Sequence, residues 1–216
     1  MSNVHLFLDL ETTCWDGNDT PHPAREIIEL GAVLWDHDLQ AELGTFSRLV
    51  RPANHPMLSN YCCDLTGIQQ SEIDQADAFP CVLSAMIEWI NTKAPTDTVP
   101  LLTTWGWFDK QQLKRECRAH RVRFPFGRSL FNLRPLAMRS IAQRDDRVIE
   151  RRFGLSEALE RVGLCHPGPL HRALPDAQAT LSMFCWCKQP HPQYEGHKLR
   201  ENGSLLSSVH VFDPHA

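Results

Sequence analysis

The chain opens on a period-two pattern. In Val4-His5-Leu6-Phe7-Leu8-Asp9-Leu10-Glu11 the leucines Leu6, Leu8 and Leu10 share one face of a predicted strand, and Phe7, Asp9 and Glu11 share the other. Residues 25–35 read as a second, largely buried strand and 43–51 as a third, and the short polar turn between those two predicts antiparallel pairing. Residues 16–24, rich in Asp, Asn, Pro and Gly, are a predicted loop, and 53–77 read as mostly irregular. Val82, Leu83, Met86, Ile87 and Ile90 recur at helical spacing after Pro80, which predicts a helix over 79–91. A short apolar strand follows at 99–104, then a turn at Trp105-Gly106-Trp107-Phe108 and a helix over 109–120. A last short strand is predicted at 129–133, with helices near 134–143, 155–163 and 173–187. Strands first, then strands alternating with helices, imply an α/β domain with a mixed sheet of about five strands flanked by helices. One unit is predicted over 1–188, with a tail over 189–216, rich in Pro, His, Gly and Ser, that has little structure of its own.

Asp9 and Glu11 fall at the carboxyl end of the first strand, where sheets of this class bind ligands. Two like charges held side by side repel, and either take up protons or hold cations between them. Asp109 opens a helix just after a later strand. With Gln112 three residues on, it also fits a capping box, in which the acid serves only the helix start. In Pro169-Leu170-His171-Arg172-Ala173-Leu174-Pro175-Asp176 a helix is predicted from about Ala173, since proline is tolerated and an acid favoured in a first turn. His171 then lies on the preceding loop and Asp176 on the rigid element. Roughly one Asp-x-Glu and one His-x4-Asp are expected by chance in such a composition, and each occurs once, so the spacings alone say little. Their order and setting say more: the first ends a strand, Asp109 opens a helix after another strand, and the last opens the final helix.

Composition narrows the classes. The 216 residues, 42% hydrophobic, suffice for one sizeable core. No apolar run approaches membrane-spanning length and the first residues lack a signal-like pattern, so a cytoplasmic protein is expected. The eight cysteines follow no usual zinc spacing and are expected to be reduced, mostly buried thiols; a zinc site from Cys185, Cys187, His191 and His197 fits no standard finger. Net charge is −4, but residues 1–109 carry 4 Lys/Arg against 16 Asp/Glu, and residues 110–216 carry 18 against 10. An acidic half able to hold metal, joined to a basic half able to hold phosphate, suits a nuclease better than a simple nucleic-acid-binding protein.

On these residues the chain resembles the 3′–5′ exonucleases of the DEDDh class, built on a ribonuclease-H-like fold. Asp9-Leu10-Glu11-Thr12-Thr13-Cys14-Trp15, Glu26-Ile27-Ile28-Glu29, Leu65-Thr66-Gly67-Ile68 and Trp105-Gly106-x-x-Asp109 are similar to the Eri-type group over roughly residues 3–187. Trp107 stands where many members carry a further acid. The resemblance implies that Asp9, Glu11, Asp109 and Asp176 hold two divalent ions, Mg²⁺ or Mn²⁺, and that His171 is the general base. It also implies a nucleic-acid partner with a 3′ end, single-stranded RNA or DNA or a 3′ overhang, and release of nucleoside 5′-monophosphates. The terminal nucleotide is expected near Leu10, Thr12, Thr13, Trp15, Gly67 and Ile68. The basic run over 110–128, with Lys114 and Arg118, either meets backbone phosphates or is a solvated helix face. The competing readings are a catalytically silent nucleic-acid- or protein-binding domain on the same fold, for which four acids that repel phosphate serve no purpose, and an acid/base hydrolase such as a glycosidase, which needs two carboxylates and no metal.

Overall fold

The computed structural model describes residues 3–17, 24–127, 130–145 and 151–189. The sheet has five strands in the order β3-β2-β1-β4-β5. β1 (Val4–Thr12) lies at its centre, antiparallel to β2 (Ile27–Asp36) and parallel to β4 (Leu101–Thr104); β3 (Ala41–Leu49) pairs antiparallel with β2, and β5 (Phe131–Asn132) parallel with β4. This is the mixed sheet of about five strands that the pattern predicts.

The alternation in β1 sorts side chains into two cores. Leu6, Leu8 and Leu10 pack with Phe79, Val82, Leu83, Met86 and Ile90 of α3 (Phe79–Lys93) and with Leu113 and Cys117 of α4 (Phe108–Ala119). Phe7, fully buried, faces the other way, into a cluster with Val33 and residues of α5 (Leu133–Asp145), α6 (Leu155–Arg161) and α7 (Ala173–Lys188). Asp9 and Glu11 extend the Phe7 face beyond the end of that second core.

The segment 53–77 is not mostly irregular as predicted. It holds α1 (Asn60–Thr66) and α2 (Gln70–Asp74) over a third small core of Cys14, Ile28, Cys62, Ile68 and Ile73. Ser59 Oγ accepts the Cys62 N–H at one end of α1, and Gly67, at φ 72°, closes the other in the left-handed region that glycine adopts without penalty. The capping box that Asp109 and Gln112 would also fit is absent too. α4 starts at Phe108 with Trp107 at the cap, and Gln112 instead donates to the Arg25 carbonyl (2.8 Å). The eight cysteines are free, but only Cys14, Cys62 and Cys117 are buried, because Cys63, Cys81, Cys185 and Cys187 fall on helix faces turned partly or fully outward and Cys165 on the loop after α6. No helix among the described residues is long and apolar enough to cross a membrane. The tail predicted beyond residue 189, with His191 and His197 of the zinc alternative, lies outside the described residues.

α7 runs against the sheet at one point of closest approach. A Cβ placed on Gly31 of β2 would lie 2.1 Å from the Ala173 carbonyl carbon and 2.2 Å from Leu174 N, so only glycine lets the helix start sit there. Gly31→Ala should therefore cost about 1–3 kcal/mol through forced backbone displacement. Denaturant unfolding of parent and variant checks this; equal stability would mean that the approach is looser than described.

Candidate active site

Strand geometry and two helix starts converge at the carboxyl end of β1. Asp9 and Glu11 come from β1, Asp176 from the first turn of α7, and one carboxylate oxygen from each lies within 4.8 Å of the others. Pro175 fits the first turn because its missing N–H would have no intrahelical partner there. If all three were ionised, each pair at such a distance would repel by roughly 3–4 kcal/mol at an effective dielectric of about 20. The carboxyls respond by holding protons. Burial and then the charges of Asp109, Asp176, Glu11 and Glu29 raise Asp9 well above the usual carboxylate range. Burial, then Asp176 and Glu29, push Glu11 up to about 8. Such a set of close, oxygen-only donors fits a hard divalent cation, which would replace the protons as the compensating charge.

Asp109 stands apart from this trio. It is buried in the first turn of α4, where burial pushes it up to about 7 while hydrogen bonds from its own N–H and from the Leu10 N–H oppose the shift. It therefore adjoins Asp9 electrostatically without joining the three-oxygen cluster. Asp176 is raised by burial, opposed by a hydrogen bond with His166, whose Nε2 lies 2.6 Å from Asp176 Oδ1. His166 was not singled out by the sequence.

His171 lines a cavity of about 250 Å³ together with Asp9, Asp176, Trp105, Leu170 and residues 154–156. Its φ of 59° is a strained conformation for a residue with a Cβ, and it is exposed. The residues that follow it are firmly held. Glu29 of β2, 1% exposed, accepts from Arg172 Nε (3.0 Å) and Nη2 (2.9 Å) and from the Ala173 N–H (3.0 Å). A buried carboxylate on β2, opposite Glu11 in the register, thus fixes the loop that carries His171 and the helix start that carries Asp176.

The expected nucleotide contacts fare unevenly. Ile68 is fully buried in the third core and Leu10 in the first, so their side chains are structural. Thr12 and Thr13 are buried as well, and Thr13 Oγ1 accepts the Glu26 N–H (2.9 Å), tying the end of β1 to the start of β2. Gly67 ends α1. Trp15, half-buried, meets His55 edge-on with ring centroids 5.7 Å apart. Glu26 in turn gathers the N–H groups of Ala53, Asn54 and His55, which sets that loop. The basic run is not a single face: Lys110 is buried, Lys114 places its ammonium 5.3 Å from the Phe124 ring centroid, Arg118 is exposed, and Arg128 lies outside the described residues.

Clustered acids at a sheet end, with a histidine on the adjoining loop, form a donor set suited to a divalent cation. The sequence matches the family described as Exonuclease over residues 6–184. 3'-5' exoribonuclease 1 of Rattus norvegicus is 34% identical over 175 residues, which cover 79% of this chain and 49% of that protein. The probable 3'-5' exonuclease KapD of Bacillus subtilis is 32% identical over 184 residues, 85% of this chain and 83% of that one. Among solved structures, the nuclease domain of 3'hExo, a DEDDh family member bound to rAMP, superposes with a TM-score of 0.74 at 31% identity, covering 85% of this chain and 90% of that chain. The chain belongs to the exonuclease family, in its DEDDh class and of the Eri type, on a ribonuclease-H-like fold. It spans about half the length of the mammalian exoribonuclease 1 relatives it matches.

Two outcomes follow from the geometry. Because folding raises these carboxyls above their unfolded values, the folded chain binds more protons than the unfolded one between about pH 4.5 and 8, and the metal-free protein should lose stability as pH rises through that window. Mn²⁺ should flatten the slope and Asp9→Asn reduce it. Thermal melts from pH 5 to 8.5 with and without chelator decide; a metal-free stability that rises over this range would contradict the raised acids. Glu29→Gln should lower stability by roughly 2–3 kcal/mol, less than for a fully buried pair because Arg172 is a third exposed, and weaken Mn²⁺ binding by releasing the start of α7. Calorimetric titration with Mn²⁺ reads the second effect; unchanged affinity would leave Glu29 a fold anchor only.

Proposed function

We propose that the protein is a metal-dependent 3′–5′ exonuclease that hydrolyses phosphodiester bonds at the 3′ end of single-stranded RNA or DNA and releases nucleoside 5′-monophosphates. The observation that carries the reading is the gathering of Asp9, Glu11 and Asp176 within 4.8 Å, with Asp9 and Asp176 on the same cavity as His171. Asp9, Glu11 and Asp176, with Asp109 beside them, would hold two divalent ions, Mg²⁺ or Mn²⁺. Bound there, such ions neutralise both the acids and the phosphate and make a coordinated water more acidic.

The remaining chemistry belongs to the chain. His171 accepts the proton of the water that attacks phosphorus, and the 3′ oxygen of the next nucleotide leaves in line. Glu29 and Arg172 hold the His171 loop so that the imidazole meets the attacking water rather than solvent. Arg118, exposed on α4, is open to a backbone phosphate. Lys114 serves this purpose less well, since its ammonium already lies over Phe124. The exoribonuclease relatives make RNA the first substrate to test.

End-labelled single-stranded RNA, DNA and a duplex with a 3′ overhang, offered with Mg²⁺ or Mn²⁺, should be shortened from the 3′ end to nucleoside 5′-monophosphates. Chelator should abolish this; internal cleavage, or activity that survives chelation, would sink the reading. His171→Ala should keep Mn²⁺ and strand affinity yet lose about 10²–10⁴-fold in turnover, the usual worth of a general base. Turnover near the parent rate from pH 6 to 9 would remove His171 from the chemistry.

A further inference from the structure

Hydrogen-bond donors without acceptors lie on one wall of the cavity, at Trp105, and on the residue beside that ring, Arg134. Trp105, at the end of β4 and 7% exposed, lines the cavity beside Asp9 and Asp176, and its indole Nε1–H is buried without a partner. Arg134, at the start of α5, places its guanidinium carbon 5.8 Å from the centroid of the Trp105 ring, and its Nε–H is likewise buried and unpartnered. Among the described residues Arg134 makes no ion pair. Gly106 makes room for it: a Cβ there would lie 2.6 Å from Arg134 Nη2. Two backbone contacts fix where the side chain starts, since the Arg134 N–H donates to the Trp105 carbonyl (3.2 Å) and to Asn132 Oδ1 (3.2 Å).

This arrangement is costly as it stands. A buried donor without an acceptor costs about 1–3 kcal/mol, and two such N–H groups are buried here. Arg152 adds to the cost: burial and then the charge of Arg152 lower the Arg134 pKa, with Asp109 opposing. A cation–π contact with Trp105 accounts for the position of the guanidinium but leaves both N–H groups unanswered. What completes the corner is an acceptor-only, negatively charged group with several oxygens. Carboxylates are nearby but belong to the acidic cluster, and their repulsion leaves no reason to add another. A phosphate diester fits, because the planar guanidinium offers it parallel donors.

We propose that Trp105 Nε1–H and the Arg134 guanidinium form a phosphate subsite beside the acidic cluster, one that takes a backbone phosphate of the strand next to the bond being cut. The inference rests on the exonuclease reading. Its consequence is division of labour: the acids and their ions hold the reacting phosphate, and the Trp105–Arg134 corner holds its neighbour and sets the strand's register. A terminal dinucleotide that lacks the neighbouring phosphate would lose this contact.

Methylphosphonate substitution tests it, because one neutral linkage removes one charge. Single-stranded oligonucleotides, RNA or DNA according to which the parent cleaves, each carry one such linkage at a successive position from the 3′ end, and their affinity is read by fluorescence anisotropy in Ca²⁺. For the parent, one position near the 3′ end should weaken binding by about 10- to 100-fold, as expected for loss of a charge-assisted contact. Arg134→Gln should bind the unmodified strand correspondingly weakly, with a shallower salt dependence, and show no further loss at that position while keeping its losses elsewhere. Trp105→Phe, which keeps the ring but lacks the N–H, should show a smaller loss of about 3- to 10-fold. Gly106→Ala leaves the charge in place but displaces Arg134, and should resemble Arg134→Gln. If parent and Arg134→Gln give the same profile along the strand, the subsite is wrong although the exonuclease reading stands. If the parent neither binds nor shortens any strand, the exonuclease reading itself fails.

Discussion

Repulsion among carboxylates is the constraint around which this molecule is arranged. Asp9, Glu11 and Asp176 cannot all be ionised at such distances without compensation. The fold has to force them together with contacts made elsewhere. Two apolar cores, one on each face of the sheet, hold β1 in place, and the Gly31 approach brings the start of α7 against β2. The third device is itself charged. Glu29 adds to the repulsion at Asp9, Glu11 and Asp176, yet spends its own charge on Arg172 and the Ala173 N–H, which anchor the very segment being repelled.

What the sequence disclosed was local periodicity and order. The alternation in β1 correctly assigned Asp9 and Glu11 to the Phe7 face, since period two is a property of the strand alone. Pro175 and Asp176 correctly marked the start of α7, because first-turn chemistry is local too. Non-local facts escaped. The capping box that the spacing of Asp109 and Gln112 also allowed is absent, since Gln112 donates to the carbonyl of Arg25, 87 residues away. Glu29 was legible only as part of a family-like motif in a buried strand, and only the sheet register and the packing of α7 reveal its partners.

Other misses had signals that were present but faint. Ser59 and Gly67 bracket α1 as an N-cap and a left-handed terminus do, and reading them together would have found that helix within the segment taken as irregular. Ile68 and Thr13 sit in stretches that resemble the family's motifs, which suggested substrate contact, but burial is not visible in a motif. His166 had no pattern at all, being set apart only by its 2.6 Å hydrogen bond to Asp176.

The separation of the cores from the acidic end bears on the order of events in the protein's life. In small domains knit together by a structural metal, the chain has no fold to speak of until the ion arrives. Here the three apolar clusters include none of the clustered acids, so they are held by apolar burial, and the raised acids can carry protons in place of an ion. Folding therefore does not require the ion, and loading adds to the stability of a chain already folded. Metal then raises the folded fraction only by mass action on a chain that already folds, while the fraction ready to work tracks the free ion directly.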